Sequence, residues 1–285
     1  MMKVFVAGAS GMLASDLIPL LRGSHKVIAG DLPDFDITDR NGVYMILREL
    51  NPDAVINCAA YTSVDKAEEE ADSAYAVNCR GAENLAVACR RINSRLIHIS
   101  TDYVFDGKKN RPYLEDDTPN PQTVYGGSKL AGENLIKDIM DDYVIIRTSW
   151  LYGQFGGNFV KTIFKLAMER EILNVVFDQT GTPTYTKDLS SAIKNLLIKD
   201  VSGVYHFSNE GVCSWYDFAY DILQQMKNKR IPVKVKKLLP VLSVEYPTPA
   251  ARPFYSVLDK TRYKKTTLEE IPSWRDGLDR YFQEI

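Results

Sequence analysis

The chain has 285 residues, 45% hydrophobic and 25% charged, enough for one large domain or a domain with an attached lobe. Its formal net charge is −2, so no global basic field marks it for nucleic acid or an anionic membrane surface, and small molecules are the expected partners. The four cysteines (Cys58, Cys79, Cys89, Cys213) and three histidines (His25, His98, His206) show no metal-ligand or Cys-x-x-Cys spacing, so neither a metal site nor a disulfide framework is expected.

The amino terminus, MMKVFVAGASGMLA, is apolar only briefly before it meets glycines, which suits a first strand and turn better than a secretion signal. No apolar run approaches the ~20 residues that span a bilayer. A reduced, cytoplasmic protein is expected.

In chain order, short β-branched runs alternate with helical patterns. KVFVAG predicts a strand with a helix from about Met12, KVIAGD a second with a helix near Gly42 to Leu50, and DAVINCAA a third with a helix near Ser73 to Arg91. RLIHIST predicts a fourth strand, followed by the helix that carries Lys129, and YVIIRTSW a fifth. Strands buried on both faces and alternating with helices predict an α/β fold with a doubly wound parallel sheet of the Rossmann type. After Trp150 the rhythm loosens. NVVFDQTGTPTYTKDL reads as a strand, a Gly/Pro turn and a helix from about Lys187; GVYHFSNEGVCSWYDFAYDIL reads as a further strand and helix. The expected division is a dinucleotide-binding domain over residues 1–150, its sheet completed by segments near 174–200, and a smaller C-terminal lobe over 151–285 that mainly binds substrate.

The first strand runs into Gly8-Ala9-Ser10-Gly11-Met12-Leu13-Ala14, a Gly-x-x-Gly-x-x-Ala turn. Glycine permits the tight turn and the approach of a pyrophosphate, whose charge the free N–H groups at the helix start would bind. Gly8, Ser10, Gly11, Met12 and Leu13 are thus candidate cofactor contacts. Asp31, at the end of the second strand, can accept hydrogen bonds from adenosine ribose hydroxyls and repel a 2′-phosphate, favouring NADH with NADPH as the alternative. Asp34 and Asp36 in the same loop compete for that role, and Asp36 and Ile37 join the candidate contacts. The third strand ends in Asn57-Cys58-Ala59-Ala60-Tyr61, and the small residues of the Cys58 to Tyr61 segment leave room for a cofactor at the sheet edge. Asn78, in the following helix, is a further candidate, or else bridges buried backbone groups.

The fourth strand ends in Ser100-Thr101-Asp102-Tyr103, which puts Ser100 beside the cofactor and Thr101 at the edge shared with the glycine turn. Downstream, TVYGGSKLAGENL places Tyr125 one helical turn before Lys129, on one face. A free phenol titrates near ~10, and a neighbouring ammonium would lower that value and make Tyr125 a proton donor. With 16 tyrosines in the chain, Tyr-x-x-x-Lys arises somewhere by chance. Thr101, able to hydrogen-bond both the phenol and a substrate oxygen, gives the pair its weight.

The glycine turn, Thr101 and Tyr125-x-x-x-Lys129 resemble the extended short-chain dehydrogenase/reductase superfamily. Within it, the ordered blocks NCAAYTSVDKAE, STDYVFDG, NPQTVYGGSKLAGE, RTSWLYG, NFVKT, DQTGTPT and RPFYSVLD resemble the dTDP-4-dehydrorhamnose reductase family along almost the entire chain. The resemblance implies NAD(P)H-dependent reduction of the C4 ketone of dTDP-4-dehydro-L-rhamnose to dTDP-L-rhamnose. It implies Thr101, Tyr125 and Lys129 as the catalytic set, Lys129 also holding the nicotinamide ribose. It further implies that Asp102, Tyr103 and Trp150 face the sugar, and that Asn158 and Arg252 line the substrate side from the smaller lobe, Arg252 pairing with a diphosphate oxygen. Trp150 as a core aromatic and Arg252 as a surface cation are the structural alternatives.

Members of the superfamily include metal-linked dimers and monomers, so a homodimer stays open. Two departures bear on chemistry. Ala14 replaces a glycine common among relatives, and Tyr103 follows Asp102 where sugar dehydratases carry a second carboxylate, which argues against elimination. The family uses either nicotinamide cofactor, which weakens the inference from Asp31. The rivals are a nucleotide-sugar epimerase of the same superfamily and a non-catalytic NAD(P)-binding regulatory subunit.

Overall fold

The computed structural model describes residues 1–285. Strands β1 (Lys3–Ala7), β2 (Lys26–Gly30), β3 (Ala54–Asn57), β4 (Arg95–Thr101) and β5 (Tyr143–Thr148) join Gly203–His206 in a six-stranded sheet. Across the sheet the order is β2, β1, β3, β4, β5 and then Gly203–His206, and every adjacent pair is parallel. The chain steps from β1 outward to β2 and returns to β3 on the other side of β1. This reversal opens a crevice at the carboxyl ends of β1 and β3, where doubly wound sheets take their ligands.

Side chains alternate across each strand. Val4 and Val6 of β1 enter a core with Leu13 and Leu17 of helix α1 (Met12–Arg22) and Ile193 of the helix Thr186–Leu197. Phe5 and Ala7 enter the opposite core with Leu85 of the helix Ala82–Ile92 and Ile136 of the helix Val124–Ile139. Both faces are covered, which is why the strands read as continuous apolar runs.

The helix expected near Ser73 to Arg91 is built in three parts: Ala71–Tyr75, a π-helical turn Ala76–Gly81, and Ala82–Ile92. The wide turn faces the helix Val124–Ile139 at Gly132, where a Cβ would lie 2.2 Å from the Asn78 carbonyl oxygen. Backbone meets backbone there, and a regular side-chain spacing is impossible.

The segment near 174–200 divides. Its helix covers the main sheet, but Ile172–Val176 pairs in parallel with Lys237–Val241 as a separate ribbon, and Gly203–His206 supplies the sixth sheet strand instead. Ile172–Val176 alternates exposed and buried residues, a pattern that fits a ribbon with one wet face and not a sheet interior. A separate core, away from the main sheet, brings together Tyr152, Val160, Phe218, Ile222, Trp274 and Phe282. No helix is long and apolar enough to cross a membrane.

Candidate active site

The glycine turn is shaped by a backbone contact. Gly8 has φ +75°, and a Cβ on it would stand 2.5 Å from the Ala59 nitrogen, so only glycine fits between the ends of β1 and β3. Helix α1 follows with Gly11 at its N-cap and no side-chain cap, which leaves first-turn N–H groups for an anion. Asp31 Oδ2 accepts from Ser10 N (2.6 Å) and Ser10 Oγ (2.5 Å), and Oδ1 accepts from Leu32 N (2.8 Å). Burial alone would raise the Asp31 carboxyl, but these hydrogen bonds outweigh it and hold the group below its ordinary value. Asp31 therefore braces the turn in addition to placing a negative charge beside it.

Directly in front of this turn lies a cavity of about 400 Å³. It is lined by Gly11, Met12 and Leu13 of the turn, by Cys58 and Ala60 after β3, by Ser100 to Tyr103 at the end of β4, and by Tyr125, Lys129 and Trp150. Thr62, Val64, Thr148, Ser149, Leu151 and Gly157 also line it, and none was singled out from the sequence. Thr148 ends β5 beside Thr101 and Ser149 follows it, so the rule that located Thr101 applied to them equally.

Several expected contacts do not line this cavity. Ala59 backs onto Gly8, and Tyr61 turns its hydroxyl to Glu70, donating to Oε2 at 2.5 Å. Asp36 accepts from the N–H and hydroxyl of Thr38, and Ile37 is buried against Gly81. Asn78 is buried, with Oδ1 accepting from Tyr61 N (2.9 Å) and Nδ2 donating to Tyr61 O and Ser128 Oγ (3.0 Å each). Its carboxamide ties the loop after β3 to the helix Val124–Ile139, with both Nδ2 protons engaged. Asn158 caps the helix Phe159–Glu169, its Oδ1 accepting from Lys161 N (3.1 Å) while Nδ2 donates to Gly153 O (2.8 Å).

Arg252 comes from the C-terminal lobe to a second cavity of about 380 Å³, shared with Asp65, Phe159 and Trp215. Its Nη2 donates to Asp65 Oδ2 at 2.6 Å. Trp150 of the first cavity and Trp215 of the second stack with centroids 3.5 Å apart and planes 7° from parallel. Trp150 has φ +47°, a left-handed backbone that costs a bulky residue roughly 1–3 kcal/mol. It lines the first cavity while packing, half-buried, against the core around Tyr152 and Phe218.

The helix Val124–Ile139 starts where Thr123 Oγ1 accepts from Gly126 N (3.0 Å), which brings Tyr125 into the first turn. Gly126 has no room for a side chain, since a Cβ would meet Tyr103 O at 2.2 Å, and the Tyr103 and Tyr125 rings meet edge to face at 5.5 Å. Thr101 Oγ1 donates to Asp102 Oδ1 (3.0 Å) and accepts from Tyr103 N (3.2 Å). Desolvation pushes the Tyr125 phenol up to about 12, with the Thr101 hydroxyl pulling it back and Asp102 pushing it further. Burial likewise pushes the Asp102 carboxyl up to about 6, although Ser256 and Thr101 draw it down, and its buried Oδ2 makes no hydrogen bond of good geometry.

Lys129 shares the cavity with Tyr125, and its ammonium turns toward β4. Its Nζ donates to Ile99 O (2.6 Å) and faces His98 Nε2 (3.2 Å), and burial brings the ammonium down to about 8. One turn further, buried Glu133 accepts from Ser100 Oγ (2.6 Å) and from Arg147. Neither Glu133 nor Arg147 was anticipated; the i, i+4 step from Lys129 to Glu133 was the available signal.

The parallel sheet, the glycine cradle at its reversal point and the hydroxyl, phenol and amine beside it define a Rossmann-type oxidoreductase of the extended short-chain dehydrogenase/reductase class. Residues 2–285 match the family described as RmlD substrate binding domain. The chain is 41% identical to the dTDP-4-dehydrorhamnose reductase of Aggregatibacter actinomycetemcomitans, over 98% of this chain and 97% of that protein. It is 43% identical to the spore coat polysaccharide biosynthesis protein SpsK of Bacillus subtilis, over 100% and 98%. Among solved structures, the Bacillus anthracis dTDP-4-dehydrorhamnose reductase in complex with NADP superposes with a TM-score of 0.94 at 42% identity, covering 100% of this chain and 99% of that one. The chain belongs to the dTDP-4-dehydrorhamnose reductase family.

Proposed function

We propose that the protein reduces the C4 ketone of dTDP-4-dehydro-L-rhamnose to give dTDP-L-rhamnose, using a reduced nicotinamide cofactor. The observation that carries this reading is the convergence of Thr101, Tyr125 and Lys129 in one cavity that the end of the glycine turn, Gly11 to Leu13, also lines. The turn suits a dinucleotide, because a Cβ would fill the Gly8 cradle and the start of α1 is uncapped. Ser10, Gly11, Met12 and Leu13 would hold the pyrophosphate and Cys58, Ala60 and Ser100 the nicotinamide side, leaving Lys129 for its ribose.

When bound, the cofactor supplies the hydride. The chain's own residues do the rest. The Thr101 hydroxyl orients the ketone oxygen, and Tyr125 gives its proton to the alkoxide that develops there. A phenol near 12 keeps its proton at neutral pH and releases it only to a much stronger base, which an alkoxide is. Asp102, Tyr103 and Trp150 would contact the sugar. The nucleotide diphosphate would run past the stacked indoles to the second cavity, where Arg252 is the cation. Asn158 serves this cavity indirectly, by capping the helix that begins with Phe159.

On this reading residues 1–150, with the helix Thr186–Leu197 and the strand Gly203–His206, form the dinucleotide domain, and the rest of 151–285 is mainly the substrate lobe. The Asp31 charge favours NADH, whereas the relative solved with NADP supports acceptance of the phosphorylated form as well. The four free cysteines suit a reducing, cytoplasmic setting. The test is a panel of nucleotide-linked 4-keto sugars offered with NADH and with NADPH, following loss of the reduced nicotinamide and the product's stereochemistry. Net oxidation with the dTDP-linked substrate is expected; interconversion of sugar epimers without net oxidation would replace this reading with an epimerase.

A further inference from the structure

His98 is a buried histidine that the proposed reaction leaves without a role. It lies in the middle of β4 at 1% exposure, with Nδ1 3.0 Å from Asn57 Nδ2 on the neighbouring strand and Nε2 3.2 Å from Lys129 Nζ. The orientation of Asn57 is fixed by a group that cannot turn round. Asn57 Oδ1 accepts from the backbone N–H of Ala59 at 3.1 Å, so the amide Nδ2 must face the imidazole and donate. His98 Nδ1 is then the acceptor. A neutral imidazole that accepts at Nδ1 carries its proton on Nε2, pointing at Lys129.

Two donors cannot share one hydrogen bond. An Nε2–H beside Nζ is satisfied by the free amine of Lys129 and opposed by its ammonium, while Ile99 O takes an N–H of either form. We propose that Asn57 and His98 are positioning residues that set the protonation of Lys129, the pinned imidazole tautomer weakening the grip of the lysine on its proton. The inference rests on Lys129 serving the proposed reduction, but the hydrogen-bond logic stands on geometry alone. The other ionisable groups facing Lys129 are Glu133 on its own helix and Cys58 at the end of β3, and Glu133 is already held by Arg147 and Ser100. Burial and Lys129 together hold His98 far below its ordinary value, so it stays neutral. Burial already lowers the Lys129 ammonium toward neutral pH, and the imidazole N–H beside it would push in the same direction.

The test uses the full chain labelled with ¹⁵N-histidine and ¹³C-lysine. Only three histidines contribute, and His98 is identified by its loss in His98→Gln, as Lys129 is by its loss in Lys129→Met. The expected wild-type spectrum shows His98 as the Nε2–H tautomer; an Nδ1–H tautomer would overturn the proposal. Asn57→Asp offers Nδ1 an acceptor, so it should switch His98 to Nδ1–H and raise the Lys129 midpoint by about one pH unit, a tenfold tighter proton. Asn57→Leu removes the donor without adding charge and should move the midpoint the same way. A Lys129 midpoint unmoved in both variants would refute the coupling. None of these readouts requires turnover, so failure here is separable from failure of the functional reading.

Discussion

Arg147 and Glu133 form an ion pair with Nη2 to Oε2 at 2.7 Å and Nε to Oε1 at 2.9 Å, and neither side chain is more than 1% exposed. The pair joins β5 to the helix that carries Tyr125 and Lys129, and Ser100 at the end of β4 donates to the same carboxylate. Removing one partner strands a buried charge, at a cost of about 3–5 kcal/mol. Glu133→Gln is therefore expected to lower the denaturant midpoint by that equivalent. Paired replacement of Glu133 and Arg147 by apolar residues should cost less than the single change, and equilibrium unfolding checks both.

Asp102 sets stability against site chemistry. Its carboxyl titrates near 6 in the fold and near ~3.9 in an unfolded chain, so the fold favours the protonated form. The favourable contribution is full below about pH 4 and is lost as pH rises through about 6, where both states ionise and the fold holds a buried charge. Asp102→Asn should therefore stabilise the protein by about 1–3 kcal/mol at pH 8 relative to pH 4, measured as the difference between unfolding curves at the two values. A gain that is equal at both pH values would contradict the assigned ionisation.

Arg252 is the cation of the second cavity and is held by Asp65, which lines the same cavity. A charge-assisted hydrogen bond to a diphosphate contributes about 1.5–3 kcal/mol. Arg252→Ala should raise the KM for the nucleotide sugar by roughly 10–100-fold while leaving cofactor affinity unchanged. Steady-state kinetics with separate titrations of the two ligands distinguishes this outcome from general damage.

Tyr125→Phe deletes one oxygen and leaves the ring against Tyr103. General-acid catalysis contributes about 10²–10⁴-fold, so turnover should fall by that factor. Reduced-cofactor affinity by fluorescence titration should stay within about twofold of wild type, since the phenol acts on the ketone oxygen. Wild-type turnover in this variant would remove Tyr125 from the chemistry.

The parts of the site that were legible in sequence are those set by local rules. Gly8 to Leu13 follow a strand and open a helix, and Tyr125 and Lys129 are one turn apart, so spacing alone placed them. The direction in which Lys129 points was not legible, because it is decided by Ile99 O and His98 on β4. Asn158 and Asn78 are chemically suited to bind a ligand, yet the first caps a helix and the second bridges Tyr61 to Ser128, uses that the same side chain serves equally well. Arg252 and Asp65 are 187 residues apart, and Glu133 meets Arg147 only after β5 has paired with β4; such long-range partners leave no periodic trace. The sixth strand was displaced for a related reason, since the apolar alternation of Ile172–Val176 does not reveal which sheet it joins.

The most direct test is reduction of dTDP-4-dehydro-L-rhamnose by the purified chain with NADH carrying deuterium at the transferable position. The expected result is one cofactor oxidised per sugar reduced, with a single deuterium on C4 of dTDP-L-rhamnose. A sugar product lacking that deuterium, or turnover with no net oxidation of the cofactor, would contradict hydride delivery to the ketone held by Thr101 and Tyr125.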